Sequence, residues 1–109
     1  MSRITTHVLD AVLGKPAAGI EIRLDARQGE GWINLAAGVT DGDGRCRDLA
    51  AHANAGIYRL TFLTGSYLKS NSRTSIYPEI SITFECDGLE HYHLPLLLSD
   101  NSYTTYRGS

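Results

Sequence analysis

Proline is scarce in this 109-residue chain, at three residues, and cysteine scarcer still, at two. So few prolines exclude a polyproline or low-complexity segment. Cys46 and Cys86 do not form a CxxC pair, so a thiolate metal site has little support, and reduced thiols are expected inside a cell. No apolar run approaches the ~20 residues that a membrane span needs. The start, Met1-Ser2-Arg3-Ile4-Thr5-Thr6-His7, has one basic residue and no apolar stretch behind it. It does not read as a secretory signal, and a cytoplasmic location is expected. An excess of one charge is also missing. Ten Lys and Arg against twelve Asp and Glu leave a net charge of −2. The basic residues are scattered, which gives no footprint for nucleic acid or an anionic membrane.

What is present fits a soluble globular protein, with 42% hydrophobic and 20% charged residues. The length suits one domain, residues 1–109, with one modest core. Eleven glycines suit a turn-rich β protein. Strict apolar/polar alternation predicts half-buried strands at residues 5–10, 20–25, 57–62 and 81–86. The first carries Thr5, His7 and Leu9 on one face and Thr6, Val8 and Asp10 on the other. Gly14-Lys15-Pro16 reads as a loop and Gln28-Gly29-Glu30-Gly31 as a turn. Trp32 opens a further strand, over residues 32–36, and its size predicts a place in the core. Residues 65–73 allow at most a helix of one or two turns on a sheet edge. Asp87-Gly88 is a hairpin signal leading into His91. His52 falls in a stretch that reads as loop. Roughly seven or eight short strands with turns about every ten residues predict an antiparallel β-sandwich with one short helix.

Thr40-Asp41-Gly42-Asp43-Gly44-Arg45 is the tightest turn. Its DGDG is similar to the opening of a calcium loop, but the later oxygen ligands and the flanking helices are missing. The simpler reading is a turn that delivers Arg45 to the next strand. The carboxyl-terminal stretch predicts more. Residues 91–98 are apolar and aromatic-flanked, residues 99–102 are turn formers, and residues 103–106 favour strand. If Ser99 closes opposite Ser102, Leu97 faces Thr104, Pro95 faces Tyr106 and His93 faces Gly108. Opposed residues project to one side, roughly 5 Å apart at Cβ. His93, Tyr106 and the terminal Gly108-Ser109 are thereby gathered on one face. His91 shares that face with His93, a spacing compatible with a metal, yet no acidic or thiolate partner is fixed beside them. A lone strand histidine such as His7 is usually only exposed or hydrogen-bonded.

Four stretches together resemble the transthyretin family and, within it, the 5-hydroxyisourate hydrolase branch. They are Thr6-His7-Val8-Leu9-Asp10 with the following Gly14-Lys15-Pro16; Asp43-Gly44-Arg45; Tyr77-Pro78-Glu79-Ile80; and His91 to Ser99 with Tyr106-Arg107-Gly108-Ser109. The resemblance covers essentially the whole chain. It implies two four-stranded sheets in a sandwich and a homotetramer built as a dimer of dimers, with active sites in the channel between the dimers. It implies His7, Arg45, His93 and Ser109 as catalytic positions, and His7, Arg45, Tyr106, Arg107 and Gly108 as substrate-binding ones, without metal or cofactor. The implied reaction opens the ring of 5-hydroxyisourate to 2-oxo-4-hydroxy-4-carboxy-5-ureidoimidazoline, in urate breakdown. Two histidines suit the proton transfers and an arginine suits a carbonyl-rich planar ring. The alternative is a small-molecule carrier using the central channel, for which a histidine pair has no use. Two departures from the family pattern stand out. Tyr77 replaces the usual phenylalanine, and Asp100-Asn101 replaces the usual turn after Ser99, a region that helps build subunit contacts in the carrier.

Overall fold

The computed structural model describes residues 1–109, the side chain of Asp48 excepted. The elements in order are β1 (Ser2–Asp10), β2 (Lys15–Pro16), β3 (Glu21–Gln28), β4 (Gly31–Val39), β5 (Arg45–Ala53), β6 (Gly56–Phe62), α1 (Thr64–Ser70), β7 (Ile80–Cys86), β8 (Tyr92–Leu98) and β9 (Tyr103–Thr105). One sheet runs β4-β3-β6-β7. The other runs β2-β1-β8-β9, with β5 also on β1. Strands β2 and β5 share one edge of β1: β2 takes Leu9 and Asp10, and β5 takes Ser2 to His7. Gly14-Lys15-Pro16 is therefore partly strand rather than loop, and His52 lies in β5, not in a loop.

Alternation sets the packing. In β1 the residues Ile4, Thr6, Val8 and Asp10 are buried, while those between them are half-buried. Ile22, Leu24, Leu60 and Phe62 from one sheet meet Ile4, Val8, Leu96 and Leu98 from the other in a single apolar cluster. Each such side chain contributes about 1.5–3 kcal/mol by leaving water. The β-sandwich expectation holds with two differences: one sheet has five strands rather than four, because β2 and β5 both pair with β1, and one pairing is of a different sense. Strands β1 and β8 run parallel, from Ile4 opposite Tyr92 to Asp10 opposite Leu98.

Two further local expectations fail. Asp87-Gly88 does not close a hairpin, because β7 and β8 lie in different sheets. Instead Asp87 Oδ1 accepts from the amides of Leu89 and Glu90 and turns the chain from one sheet to the other. Trp32 is not in the core. It sits on edge strand β4 opposite Arg27, with the Arg27 and Arg59 guanidinium carbons 5.1 and 4.3 Å from the ring. On that face Arg27 and Arg59 lie over the ring, and cation–π contact takes the place of full burial.

The far end of β1 is tied by polar groups. Asp10 Oδ1 accepts from the amides of Val12 and Leu13, and its Oδ2 accepts from the Tyr67 hydroxyl at 2.8 Å and from Arg73 Nη1. Arg73 also donates from Nε to Asp100 Oδ1 at 2.8 Å. Asn101 Oδ1 accepts from the Ile76 amide at 2.9 Å. The unusual Asp100-Asn101 turn is thus anchored within this chain. Burial alone would raise the Asp10 pKa, but the bonds from Arg73, Leu13 and Tyr67 outweigh it and hold the group at about 2. Burial and the Asp10 carboxylate push Tyr67 up to about 12.

Candidate active site

The site is assembled by three strand registers. Across β1 and β5 His7 stands opposite Arg45. Across β1 and β8 Thr5 stands opposite His93. A bridge then sets His93 opposite Gly108. Neighbours across a ladder project to the same side, so one outward sheet face carries all of them. The tail register matches the reading from the turn: Leu97 faces Thr104, and the Ser99 amide donates to the Ser102 carbonyl at 2.9 Å.

Arg45 owes its place to the turn before it. Asp41 Oδ1 accepts from the amides of Asp43 and Arg45 at 2.9 and 3.0 Å, so this oxygen serves the turn itself. Gly44 has φ +76°, and a Cβ there would lie 2.3 Å from the Val8 carbonyl oxygen. Only glycine allows the turn to pack so close to β1. The next residue, Arg45, therefore starts β5 directly beside His7.

The result is a cleft of about 170 Å³ lined by Arg45, His91, His93, Thr5 and Ser109, with Arg3 and Arg47 also contributing. No carboxylate side chain lines it among the described residues, whereas three guanidinium groups do. An anionic or carbonyl-rich molecule is the matching occupant. Burial comes first in lowering the His93 pKa below its usual value of 6.5, followed by the charges of Arg45, His91 and His7. His93 is therefore a neutral base at ordinary pH. Among the described residues, no group of three His, Cys, Asp or Glu is placed to hold a metal ion. Cys46 and Cys86 are both buried thiols.

The structure brings Arg45, His93 and Ser109 into one cleft and places the other candidates around it. His7 does not line the cleft. Its Nε2–H donates to the Asp43 carbonyl at 2.7 Å, which fixes the ring in the row shared with Arg45. Gly108 donates its amide to the His93 carbonyl at 2.7 Å. A Cβ on Gly108 would sit 2.8 Å from His93 Cδ2, so a side chain there would push into the ring. Arg107 points away, donating to Glu90 Oε2 at 3.0 Å and stacking 4.2 Å over the Tyr92 ring. Tyr106 is 52% exposed, outside the cleft within one chain.

Among the cleft residues that the sequence did not single out as catalytic or substrate-binding, Thr5 and His91 touch the candidate histidine or its partner directly. The Thr5 hydroxyl oxygen is 2.8 Å from His93 Nδ1 and 2.7 Å from His91 Nε2. Spacing held part of the signal, since Thr5 and His7, and separately His91 and His93, alternate onto one face. What spacing lacked was the parallel neighbour that places one pair against the other.

Known proteins resemble this chain over nearly its whole length. Residues 4–108 match the model of the HIUase/Transthyretin family. The chain is 44% identical to a 5-hydroxyisourate hydrolase of Caulobacter vibrioides, over 100% of both chains. The structure of Klebsiella pneumoniae 5-hydroxyisourate hydrolase superposes with a TM-score of 0.87 at 40% identity, covering 100% of this chain and 94% of that one. Transthyretin from Sparus aurata superposes with a TM-score of 0.92 at 34% identity, covering 96% and 95%.

Proposed function

The chain belongs to the HIUase/Transthyretin family, and from that premise we propose that it is a 5-hydroxyisourate hydrolase acting in urate degradation. One observation carries the reading: a neutral histidine, the Arg45 guanidinium and Ser109 of the tail converge on one small cleft. Backbone likeness does not choose between enzyme and carrier, because the transthyretin superposes at least as well as the hydrolase. The functional groups support the enzyme.

His93 takes a proton from the attacking water, and Arg45 binds the ring carbonyl on which negative charge develops. Water adds at that carbonyl, the C–N bond breaks, and the leaving nitrogen receives the proton. His7, outside the cleft of a single chain but opposite Arg45 and held through its Nε2–H by the Asp43 carbonyl, is the second proton-transfer group in this reading. Ser109 orients water or substrate at the cleft mouth. Gly108 lets the tail close against His93, and Arg107 pins that tail through Glu90 and Tyr92. Neither a metal nor an organic cofactor enters this mechanism.

The chain forms one transthyretin-like domain, residues 1–109, that works in the cytoplasm as a homotetramer, a dimer of dimers. In this arrangement the exposed Tyr106 narrows the channel shared by the cleft mouths. The test is to mix purified protein with freshly generated 5-hydroxyisourate and follow the loss of its ultraviolet absorbance. The expected result is a rate well above spontaneous decay that falls by about 100-fold or more in His93→Ala. A rate equal to spontaneous decay would return the chain to the carrier reading.

A further inference from the structure

The Thr5 hydroxyl stands between two imidazoles, and it has one proton to give. Its oxygen lies 2.8 Å from His93 Nδ1 and 2.7 Å from His91 Nε2. Two bare nitrogens cannot both be served by one hydroxyl proton, so at least one ring must present an N–H to Thr5. The two rings differ in their freedom to adapt. His91 is exposed to water, whereas His93 is half-buried. The other His93 nitrogen, Nε2, makes no hydrogen bond among the described residues, and the ring lines a cleft shared with the Arg45, Arg3 and Arg47 guanidinium groups. A lone pair facing those cations is favoured over an N–H dipole facing them.

We propose that Thr5 and His91 are positioning residues, holding the His93 ring with its proton on Nδ1 and its Nε2 lone pair toward the cleft. His93 Nδ1–H donates to the Thr5 oxygen, and the Thr5 hydroxyl donates onward to His91 Nε2. A free imidazole prefers its proton on Nε2, the wrong nitrogen for a base in this cleft. The chain through Thr5 reverses that preference. When His93 accepts a proton at Nε2, its Nδ1–H remains bonded to Thr5, so the imidazolium keeps the same orientation and can return the proton to the leaving nitrogen. The charged and titratable groups around His93 are Arg3 and His7 on β1, Arg45 and Arg47 on β5, and His91 on β8. Ser109 approaches from the tail.

The direct test reads ring nitrogens of the substrate-free protein by nitrogen-15 NMR at about pH 8, where His93 is neutral. The wild-type chain should show His93 protonated on Nδ1. Thr5→Val, which keeps the shape and deletes the hydroxyl, should move that proton to Nε2 and cut kcat by about tenfold with KM little changed. Thr5→Ser should restore the Nδ1 proton and most of the rate. A wild-type spectrum with His93 protonated on Nε2 would overturn the proposal, even if Thr5→Val failed to fold. So would a Thr5→Val chain that kept both the wild-type ring pattern and the wild-type rate. The rate measurements rest on the hydrolase reading, but the spectrum does not. A chain with the Nδ1 proton and no activity would therefore retire that reading and leave this one standing.

Discussion

Strand β1 carries two polar clusters on opposite faces, and they differ in what they leave unbonded. On the buried face Asp10 is saturated: both oxygens are taken by Val12, Leu13, Tyr67 and Arg73, and Arg73 is in turn held by Asp100. On the outward face Thr5 bridges two histidines, while His93 Nε2 and the Arg45 guanidinium make no hydrogen bond among the described residues. Both clusters gather opposite or titratable groups at short range. The first is complete within the protein and so stabilises it. The second leaves its His93 Nε2 and Arg45 groups open to the cleft, and it is the one proposed to bind the substrate.

The contrast is broken most severely by Arg73→Ala. It leaves the Asp10 carboxylate buried without its main partner, and the expected cost is about 3–5 kcal/mol of stability. Denaturant unfolding checks it. Arg45→Ala, at the other cluster, should abolish most hydrolysis yet leave the unfolding midpoint near wild type. Equal destabilisation by the two substitutions would erase the distinction. A smaller effect comes from acid. Asp10 is held at about 2 against an ordinary 3.8, so its contribution of about 2 kcal/mol is intact above pH 4 and lost as pH falls towards 2. Arg73→Ala should flatten that part of the stability–pH curve. The smallest effect on stability should come from Gly108→Ala, whose Cβ would meet His93 Cδ2 at 2.8 Å. It should displace the tail and lower kcat by about tenfold with little change in melting temperature.

Sequence patterns foretold the parts governed by neighbours in the chain. The β8–β9 register followed from a turn with identifiable ends, and the placement of Arg45 followed from Gly44. The parallel pairing of β1 with β8 was not legible, because nothing local encodes contact between residues 88 apart. Thr5 was missed for that reason. Trp32 misled through its size: a large aromatic promises burial, but its strand turned out to be an edge. Asp87-Gly88 misled because a sheet-to-sheet crossing needs the same backbone chemistry as a hairpin. The family resemblance supplied the candidate set before any geometry was known, and the structure places Arg45, His93 and Ser109 in the cleft while Arg107 reaches Glu90 and Tyr92.

The parallel seam between β1 and β8 has a consequence for how the protein matures. A chain emerging from the ribosome holds Thr5 and His7 idle until nearly all the remaining residues have been made, and only then can β8 dock. Such distant closure is slow compared with forming a hairpin. Catalytic competence should therefore be the last property the folding chain acquires, and its appearance in a refolding time course would mark the closing of that seam.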